Sequence, residues 1–426
     1  MTEKNVVSAS VGRALSHQLQ EADWLADWRE SAWTSFQTLE KPWLEKTDLK
    51  RCQFEVVEKS PSTGSHLEAR KLFEFVTGSA VLILGNRIEA IRLTEEDKKN
   101  GVVLMSLHEA SHTHRHLLEK YLGSVVPSSH SKWAALNAAA FQAGVLLYVP
   151  RHVEVSSDIL IIRSEEEALE SAYPRTLVIA DTGAKARVAE MQFAKPAATS
   201  AAATSDVWEV VAENDARLEI GLIEEILAGP YRFYTRRAKL GKDAEVNWYA
   251  ASTGDGLAVS DIESLLDGNG SRSNTRVLGT AVGRMHHDLT AKMTHAGRYS
   301  ESDIVMHGVL RQKANAVFRS CTEIIKGAVE AGSEQHDRMI LVDSTARADA
   351  IPMLLIDEND VKRCGHAASV GKIDPNQIYY LMSRGISEKL ATRMIIWGYF
   401  EETILSLPVE EAVREAFVAR LEKELD

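Results

Sequence analysis

Short runs of alternating apolar and polar residues dominate the chain from about residue 144 to about residue 370. In one of them the apolar side chains occupy every second position, at Ala216, Leu218, Ile220 and Leu222. A period of two is typical of a β-strand with one buried face. No helical pattern in this stretch is long enough to supply the crossovers of a doubly wound sheet. The pattern therefore predicts a mainly β core, as a sandwich, a barrel or a β-helix, and periodicity alone does not choose among them.

Helical spacing precedes this core. Bulky apolar residues recur at roughly helical intervals at Leu15, Leu19, Trp24, Leu25, Trp28 and Trp33. We predict another helix from Leu104 to Tyr121, followed by the Ala-rich segment Lys132 to Ala143. Lys71 to Arg92 resembles two short strands around Gly85-Asn86. Residues 1–143 are thus predicted to form a mostly helical N-terminal region with a small strand pair.

Helical spacing also follows the core. After Asp374-Pro375, apolar residues again lie on adjacent helical turns up to Pro408, and a charged helix is predicted from Val409 onward. We therefore expect a β core over residues 144–370 and a C-terminal helical domain over residues 371–426. The low-complexity segment Ala194–Asp206 is interpreted as a loop between strands.

Charge and cysteine content exclude several classes of protein. The formal net charge of −12 disfavours nucleic-acid binding, which normally requires a basic surface. The chain has no apolar run long enough to span a membrane, and its N-terminal residues lack the hydrophobic part of a signal peptide. Its three cysteines, Cys52, Cys321 and Cys364, are widely spaced and suit a reducing compartment. We expect a cytoplasmic protein without a membrane anchor.

The segment from His108 to His112 matches the motif in which two imidazoles on one helical face bind zinc beside a carboxylate. A zinc protease also needs a third ligand, and no acidic residue stands at the expected downstream distance. The glycine and third histidine of the extended motif are missing too. We therefore interpret this segment as a polar helix face.

Phosphate binding by a P-loop is disfavoured as well. Gly365 and Gly371 are one residue too far apart, and Ile373 stands where Ser or Thr would hold magnesium. We expect this chain to bind no nucleotide.

Cys364 and His366 form the most suggestive pair of metal donors. On a strand, their spacing puts both side chains on one face, with Cα atoms about 6.5 to 7 Å apart. A thiolate and an imidazole in this arrangement can share one soft or borderline metal with ligands from elsewhere. Asp360 and Lys362 share this face, which favours contact with a partner or solvent over the apolar core. A bare Cys-x-His pair is also compatible with a structural role.

Four further histidines fall in successive strand-like runs, at His286, His287, His295 and His307. Stacked strands could align them along one surface. No matching set of acidic or thiol residues accompanies them, so we interpret them as solvated or turn histidines.

The segment from Asp343 to Phe400 contains an ARAD-x-x-P element, an acidic DV-x-x-C-x-H segment that includes Cys364 and His366, and the helix start YLMSRGI. With these motifs it resembles the SufB/SufD family. Earlier similarities follow in the family's order, at Pro42–Leu49, Lys132–Asn137, Tyr148–Pro150 and Arg175–Lys185.

Within this family the Cys-x-His pattern resembles the SufD branch, since the SufB branch has a His-Glu-Ala-Thr-Thr type of sequence there. SufB proteins usually carry a cysteine just before the Asp-Ser pair, where this chain has Val342. The missing thiol argues against a main cluster-holding subunit. Gly365 and Ala367 depart from the usual Ser and Gly of the motif.

The resemblance implies a right-handed parallel β-helix core flanked by N-terminal and C-terminal α-helical regions. It further implies a non-catalytic structural subunit of an iron–sulfur cluster assembly complex. The expected partner is a SufB-like protein, with a homodimer also possible. A cluster would form at the interface, with an imidazole from His366 and a supporting thiol from Cys364, and some relatives add a flavin to the complex.

A SufC ATPase is the second partner that the resemblance implies, and ATP hydrolysis is expected in that subunit. We expect it to dock on the C-terminal helices, at Arg384, Gly385, Ile386, Met394, Trp397, Gly398 and Phe400. Two alternatives remain open from the residues. The chain could hold a cluster alone, as a SufB-like scaffold, or act on polysaccharide as a β-helix enzyme, for which no groove of carboxylates can be identified.

Overall fold

The computed structural model describes residues 11–54, 65–165, 172–194, 203–227, 229 and 231–425. At its centre is a parallel β-solenoid of about seven turns, with helices on both sides of it in the sequence. The mainly β class with helical flanks is therefore confirmed. No helix in these described ranges is both long and apolar enough to cross a bilayer.

The elements that precede the solenoid are α1 (Val11–Leu19), α2 (Asp23–Thr38), α3 (Leu67–Phe75), β1 (Ala80–Leu84), β2 (Arg87–Arg92), α4 (Glu95–Lys99), β3 (Val103–Ser106), α5 (Leu107–Thr113), α6 (Arg115–Tyr121) and α7 (Lys132–Ala140). The later strands are β4 (Gly144–Val149), β5 (Ile159–Glu165), β6 (Arg175–Ala180), β7 (Lys185–Ala194), β8 (Ala203–Ala212), β9 (Arg217–Ile226), β10 (Tyr231–Leu240), β11 (Glu245–Gly254), β12 (Leu257–Leu266), β13 (Arg272–Ala281), β14 (His286–His295), β15 (Glu301–Leu310), β16 (Asn315–Ile324), β17 (Gly332–Leu341), β18 (Arg347–Ala350), β19 (Met353–Ile356) and β20 (Arg363–Gly371). The C-terminal helices are α8 (Pro375–Met382), α9 (Glu388–Leu405) and α10 (Glu411–Leu425).

Successive strands alternate between two sheets. Sheet I has the order β2-β1-β5-β7-β9-β11-β13-β15-β17-β20. Sheet II has the order β18-β16-β14-β12-β10-β8-β6-β4-β3, and β19 also pairs with β16. The pairs β1–β2 and β3–β4 are antiparallel, whereas the solenoid strands pair in parallel. A turn of the solenoid therefore consists of one strand from each sheet.

Regular register extends side-chain columns along the solenoid. In sheet I one column contains Ile220, Trp248, Thr275, Ile304 and Gln335 on successive turns. These side chains are buried in the lumen between the sheets, as are Leu218 and Leu222. The predicted alternation at residues 216–222 is therefore confirmed, because inward positions of β9 fill this lumen.

One residue in left-handed backbone conformation recurs in each turn of the solenoid, at His152, Gly183, Asp215, Asp243, Gly270, Tyr299 and Glu330. The N–H of each donates to a carbonyl of the next turn, as from Asp243 to Asn269 at 2.9 Å. These repeated hydrogen bonds between turns link successive rungs at one edge of the solenoid.

Helices cover the outer faces of both sheets. Outward residues of β4, β6 and β8 pack with α2, α5, α6 and α7 in one apolar cluster. On the other side, outward residues of sheet I pack with α9 and α10, including Phe400 and Phe417. The two helical layers bury the apolar outer faces that the solenoid alone would expose.

Two N-terminal predictions need correction. Lys71 to Phe75 is helical, in α3, so the strand pair begins only at Ala80. The predicted helix from Leu104 is divided into β3, α5 and α6. Pairing with β4 holds residues 103–106 in an extended conformation. The Ser106 hydroxyl then caps α5 by accepting a hydrogen bond from the Glu109 N–H at 3.1 Å.

The histidine prediction was also wrong. β14 lies in sheet II and β15 in sheet I, so His307 does not stack on the other three. His287 and His295 are buried in the lumen and bonded to serine hydroxyls, so they are not solvated. Of the predicted loop Ala194–Asp206, residues 203–206 belong to β8, and residues 195–202 lie outside the described ranges.

Candidate functional site at the end of the solenoid

The solenoid ends in strands that have a neighbour on one side. β20 pairs with β17, and β18 and β19 pair with β16; beyond them the described residues contribute no further strand. Large apolar side chains at this end are between 37% and 51% exposed, namely Met353, Leu355, Ile356 and Val370. Open strand edges beside exposed apolar groups are typical of a surface that pairs with another chain.

Both predicted metal donors lie on β20. Cys364 is in register with Ser333 of β17, and His366 is in register with Gln335. Ser333 and Gln335 face the lumen and are fully buried, so Cys364 and His366 continue two inward columns. Because the stack ends there, Cys364 is half-buried and His366 is exposed. The expected exposure is found, although the face is the continuation of the lumen.

A hydrogen-bonded network lies beneath this pair in the lumen. The Gln335 amide donates to Thr322 Oγ1 at 2.7 Å and to the Met353 carbonyl at 3.1 Å. Ser333 Oγ lies 3.0 Å from Ser302 Oγ and 2.8 Å from Thr322 Oγ1. The last turns are therefore polar inside, whereas most earlier inward positions of sheet I are apolar.

Asp337 is the ionisable member of this network. Its Oδ2 accepts from the Ser320 hydroxyl at 2.6 Å. Burial raises the pKa of Asp337, and this rise is opposed by the Ser320 hydrogen bond and by the nearby His336 and His366. Sequence reasoning missed Ser320, Gln335 and Asp337. The available signal was the presence of polar residues at the inward positions of β17, where the alternation calls for apolar ones.

Cys364 is a protonated thiol at neutral pH. Burial raises its pKa, and the negative charge of Glu334 raises it further. A metal binds the thiolate, so binding at Cys364 displaces a proton. Neither Cys364 nor His366 belongs to a set of three or more His, Cys, Asp or Glu side chains that could hold a metal within the described part of the chain.

His108 and His112 do not form a zinc site. His108 Nδ1 lies 2.5 Å from Glu21 Oε1, and Nε2 lies 2.5 Å from the Gln142 carbonyl oxygen. Nε2 of His112 lies 2.8 Å from the Gln20 carbonyl oxygen. These contacts join α5 to the N-terminal helices and give both histidines a structural role.

Glu21 is the buried centre of that helix contact. Burial raises its pKa, but hydrogen bonds and charges from His108 and Arg29 outweigh burial and lower the pKa to about 2. Arg29 and Glu21 form a fully buried, two-bond ion pair at 2.7 and 2.8 Å. The polar helix face predicted at His108 to His112 therefore stabilises packing between helices.

The predicted docking residues divide into two groups. Arg384 and Gly385 are exposed in the turn between α8 and α9, where Ile386 is half-buried, and Met394 and Gly398 are exposed on α9. A cleft of about 570 Å³ between α8 and α9 is lined by Met394 and Gly398 together with Tyr380, Leu381 and Tyr399, among others. Phe400 is fully buried against sheet I, and Trp397 packs against the same cluster. Trp397 and Phe400 form the second group, which packs α9 against sheet I and does not line the cleft.

Comparison with known proteins gives consistent matches along the chain. A family model for the SufBD protein N-terminal region matches residues 76–161. The chain is 29% identical over 425 residues to the iron–sulfur cluster assembly protein SufD of Bacillus subtilis, covering 97% of each chain. It is also 29% identical to iron–sulfur cluster assembly SufBD family proteins of Staphylococcus aureus strains USA300 and N315, over 78% of this chain and 71% of theirs. The family model for the SufBD core domain of SUF system FeS cluster assembly matches residues 161–399. Because that match covers more than half of the sequence, the chain belongs to the SufBD family of iron–sulfur cluster assembly proteins.

Proposed function

We propose that this chain is a SufD-like structural subunit that pairs with a SufB-like solenoid, so that an iron–sulfur cluster is assembled at their interface. The observation that carries the proposal is the position of Cys364 and His366 at the open end of the solenoid. Two donors from one chain are too few for a cluster, which is normally held by four. The remaining donors then come from the partner.

The pairing surface in this proposal comprises β18, β19 and β20. Their open edges offer backbone groups to a partner strand, and Leu355 and Ile356 offer apolar area beside them. A related solenoid presents a similar edge, which favours a SufB-like partner. A homodimer uses the same surface and is the competing assembly.

Ligands divided between two chains make cluster affinity depend on the relative orientation of those chains. His366 supplies an imidazole and Cys364 a thiolate, donors that suit iron in sulfur-rich sites. The cluster is the cargo of the complex, and this chain catalyses no reaction of its own.

The C-terminal helical domain is proposed as the docking site of a SufC-like ATPase, which hydrolyses the ATP. The cleft between α8 and α9, with Met394 and Gly398, is the accessible part of this domain. Residues 372–374 are the whole connection between β20 and α8. A movement of α8 and α9 on docking would therefore be transmitted through this short connection to β20, the strand that carries His366.

Replacing His366 by Ala tests the cluster role. We expect the activity of iron–sulfur enzymes to fall sharply in cells that depend on this system, because the interface loses a donor. His336→Ala is the matched control, since His336 is exposed on the neighbouring strand and faces outward. Unchanged activity in His366→Ala, or an equal loss in the control, would remove His366 from the mechanism.

Replacing Met394 by Asp tests the docking site. Met394 is 47% exposed in the cleft, so a charge there should abolish co-purification of the ATPase subunit without unfolding the chain. Leu405→Asp changes an exposed residue at the other end of α9 and should leave co-purification intact. Retention of the ATPase by Met394→Asp contradicts docking in this cleft.

A further inference from the structure

One buried carboxylate oxygen near the end of the lumen has no hydrogen-bond partner among the described residues. It is Oδ1 of Asp337, whose side chain is almost completely buried. A buried acceptor without a partner loses its hydration without gaining a hydrogen bond, which destabilises the folded chain. The other oxygen, Oδ2, is held by Ser320, so the orientation of the carboxylate is fixed.

The other inward polar groups of β17 already have partners. Ser333 Oγ contacts two hydroxyls, and both contacts lie within the lumen. The Gln335 amide nitrogen donates two hydrogen bonds, and its Oε1 lies 3.1 Å from Ser320 Oγ. The single Ser320 proton is shared between Gln335 Oε1 and Asp337 Oδ2, whereas Asp337 Oδ1 is the buried side-chain oxygen of these three residues that has no contact at hydrogen-bond distance.

The register of β20 places His366 diagonally across from Asp337 on the inward face. Asp337 is directly opposite Ala368, and His366 is two residues earlier on the same face of the strand. In a parallel pair, the spacing between strands and the rise per residue place such diagonal neighbours about 8 Å apart at Cα, within reach of an aspartate and a histidine side chain. Ala368, directly opposite Asp337, has no polar side-chain atom that could bond to the carboxylate. His366 also interacts electrostatically with Asp337.

We propose that Asp337 is a positioning residue for His366: one ring N–H of the imidazole donates to Asp337 Oδ1, and the other ring nitrogen is presented outward as the iron ligand. This inference rests on the proposed role of His366. Carboxylate partners commonly fix the tautomer and orientation of metal-binding histidines. Here the carboxylate that holds His366 would lie in the interior of the solenoid, on β17. The packed strand β17 would then orient a side chain of β20, which has a neighbouring strand on one side only.

The tautomer of His366 in the isolated, cluster-free chain tests the pairing. The protein is labelled with ¹⁵N-histidine and its NMR spectrum is recorded at a pH above the range in which the ring is charged. The signals of His366 are identified because they are missing from the spectrum of His366→Ala. We expect the wild-type ring to populate one tautomer. In Asp337→Asn, which keeps the size of the side chain but replaces an acceptor-only group, the tautomer populations should shift. A wild-type spectrum with the mixed populations of a free imidazole overturns the proposal without any variant.

Glu334→Gln is the matched control. Glu334 is also a carboxylate of β17, but its neighbour in register is Gly365 and it faces outward. The control should leave the tautomer of His366 unchanged; an equal shift in both variants indicates a general field effect and contradicts a specific contact. Thermal unfolding establishes that each variant is folded.

Iron–sulfur enzyme activity in cells provides the second measurement. Asp337→Asn should lower it by about 10- to 100-fold, as is typical when the partner of a metal-binding histidine is lost. If the tautomer shifts while His366→Ala leaves activity unchanged, the contact exists but the proposed cluster role fails. If His366→Ala abolishes activity while the tautomer does not respond to Asp337→Asn, the positioning role alone fails.

Discussion

Histidines in this protein differ in role because the same ring meets different surroundings. His108 joins helices by two short contacts, His295 is bonded inside the lumen to Ser300 and Ser302, and His366 is exposed where the stack ends. Sequence spacing placed His366 correctly on one face with Cys364. It did not find Asp337, because the alternation was used to locate apolar residues and not to search for polar residues at inward positions.

Buried histidines should make stability depend on pH. Burial lowers the pKa of His287 and of His295 to about 4. The unfolded chain binds protons at these rings near pH 6.5, whereas the folded chain does not, so stability should fall as the pH decreases from about 6.5 to about 4. The effect amounts to roughly 3 kcal/mol per histidine.

Urea unfolding at several pH values measures this dependence. His295→Gln should reduce the slope of stability against pH in that window, whatever its effect at neutral pH. His336→Gln removes an exposed ring and should leave the slope unchanged. An unaltered slope in His295→Gln would show that this ring is not kept neutral by burial.

At the scale of elements, local patterns predicted β9 correctly but misjudged the segment before α5. The alternation at residues 216–222 matched β9 because one face of that strand is fully buried. The pattern from Leu104 to Tyr121 was misleading, because apolar residues of β3 happen to continue the helical spacing of α5 and α6. Pairing of β3 with β4 decided the conformation there, and this contact is not visible in local sequence.

Close stacking of the turns gives a prediction at this scale. A Cβ on Gly268 would lie 2.1 Å from the carbonyl carbon of Gly241 in the preceding turn. Gly268→Ala must therefore push two rungs apart, and we expect a loss of about 1 to 3 kcal/mol in the free energy of unfolding. Urea denaturation measures it.

Gly398→Ala is the control for Gly268→Ala. No atom lies within 4 Å of a Cβ at Gly398, which is on the exposed face of α9. This variant should be as stable as the wild type or more stable by up to about 1 kcal/mol, since Ala favours helix. A Gly268→Ala variant that unfolds like this control contradicts tight contact between the turns.

At the scale of the whole molecule, the solenoid could not be derived from periodicity. Its repeat of about 30 residues has few recurring residues. The left-handed position of each turn is occupied by five different residue types, from His152 to Glu330. Only the family resemblance selected a β-helix from the three architectures that the alternation allowed.

The open end of the solenoid is the feature on which the proposed function rests. The other apolar faces of the sheets are covered by helices and by the segment around residues 44–54, whereas the last turn leaves strand edges, apolar side chains and the two candidate metal donors together. Cys364 and His366 could be proposed from sequence, but their position at the end of the lumen required the register of β20 with β17.

The most direct test is the mass of the assembly formed when this chain is mixed with a SufB-like partner, measured by analytical ultracentrifugation. We predict a one-to-one complex that is lost in Leu355→Arg, which puts a charge on the exposed side of β19. The complex should be kept in Leu405→Arg, which makes the same substitution at an exposed position of α9. A wild-type chain that stays monomeric beside this partner, or a complex indifferent to Leu355→Arg, would contradict pairing through the end of the solenoid.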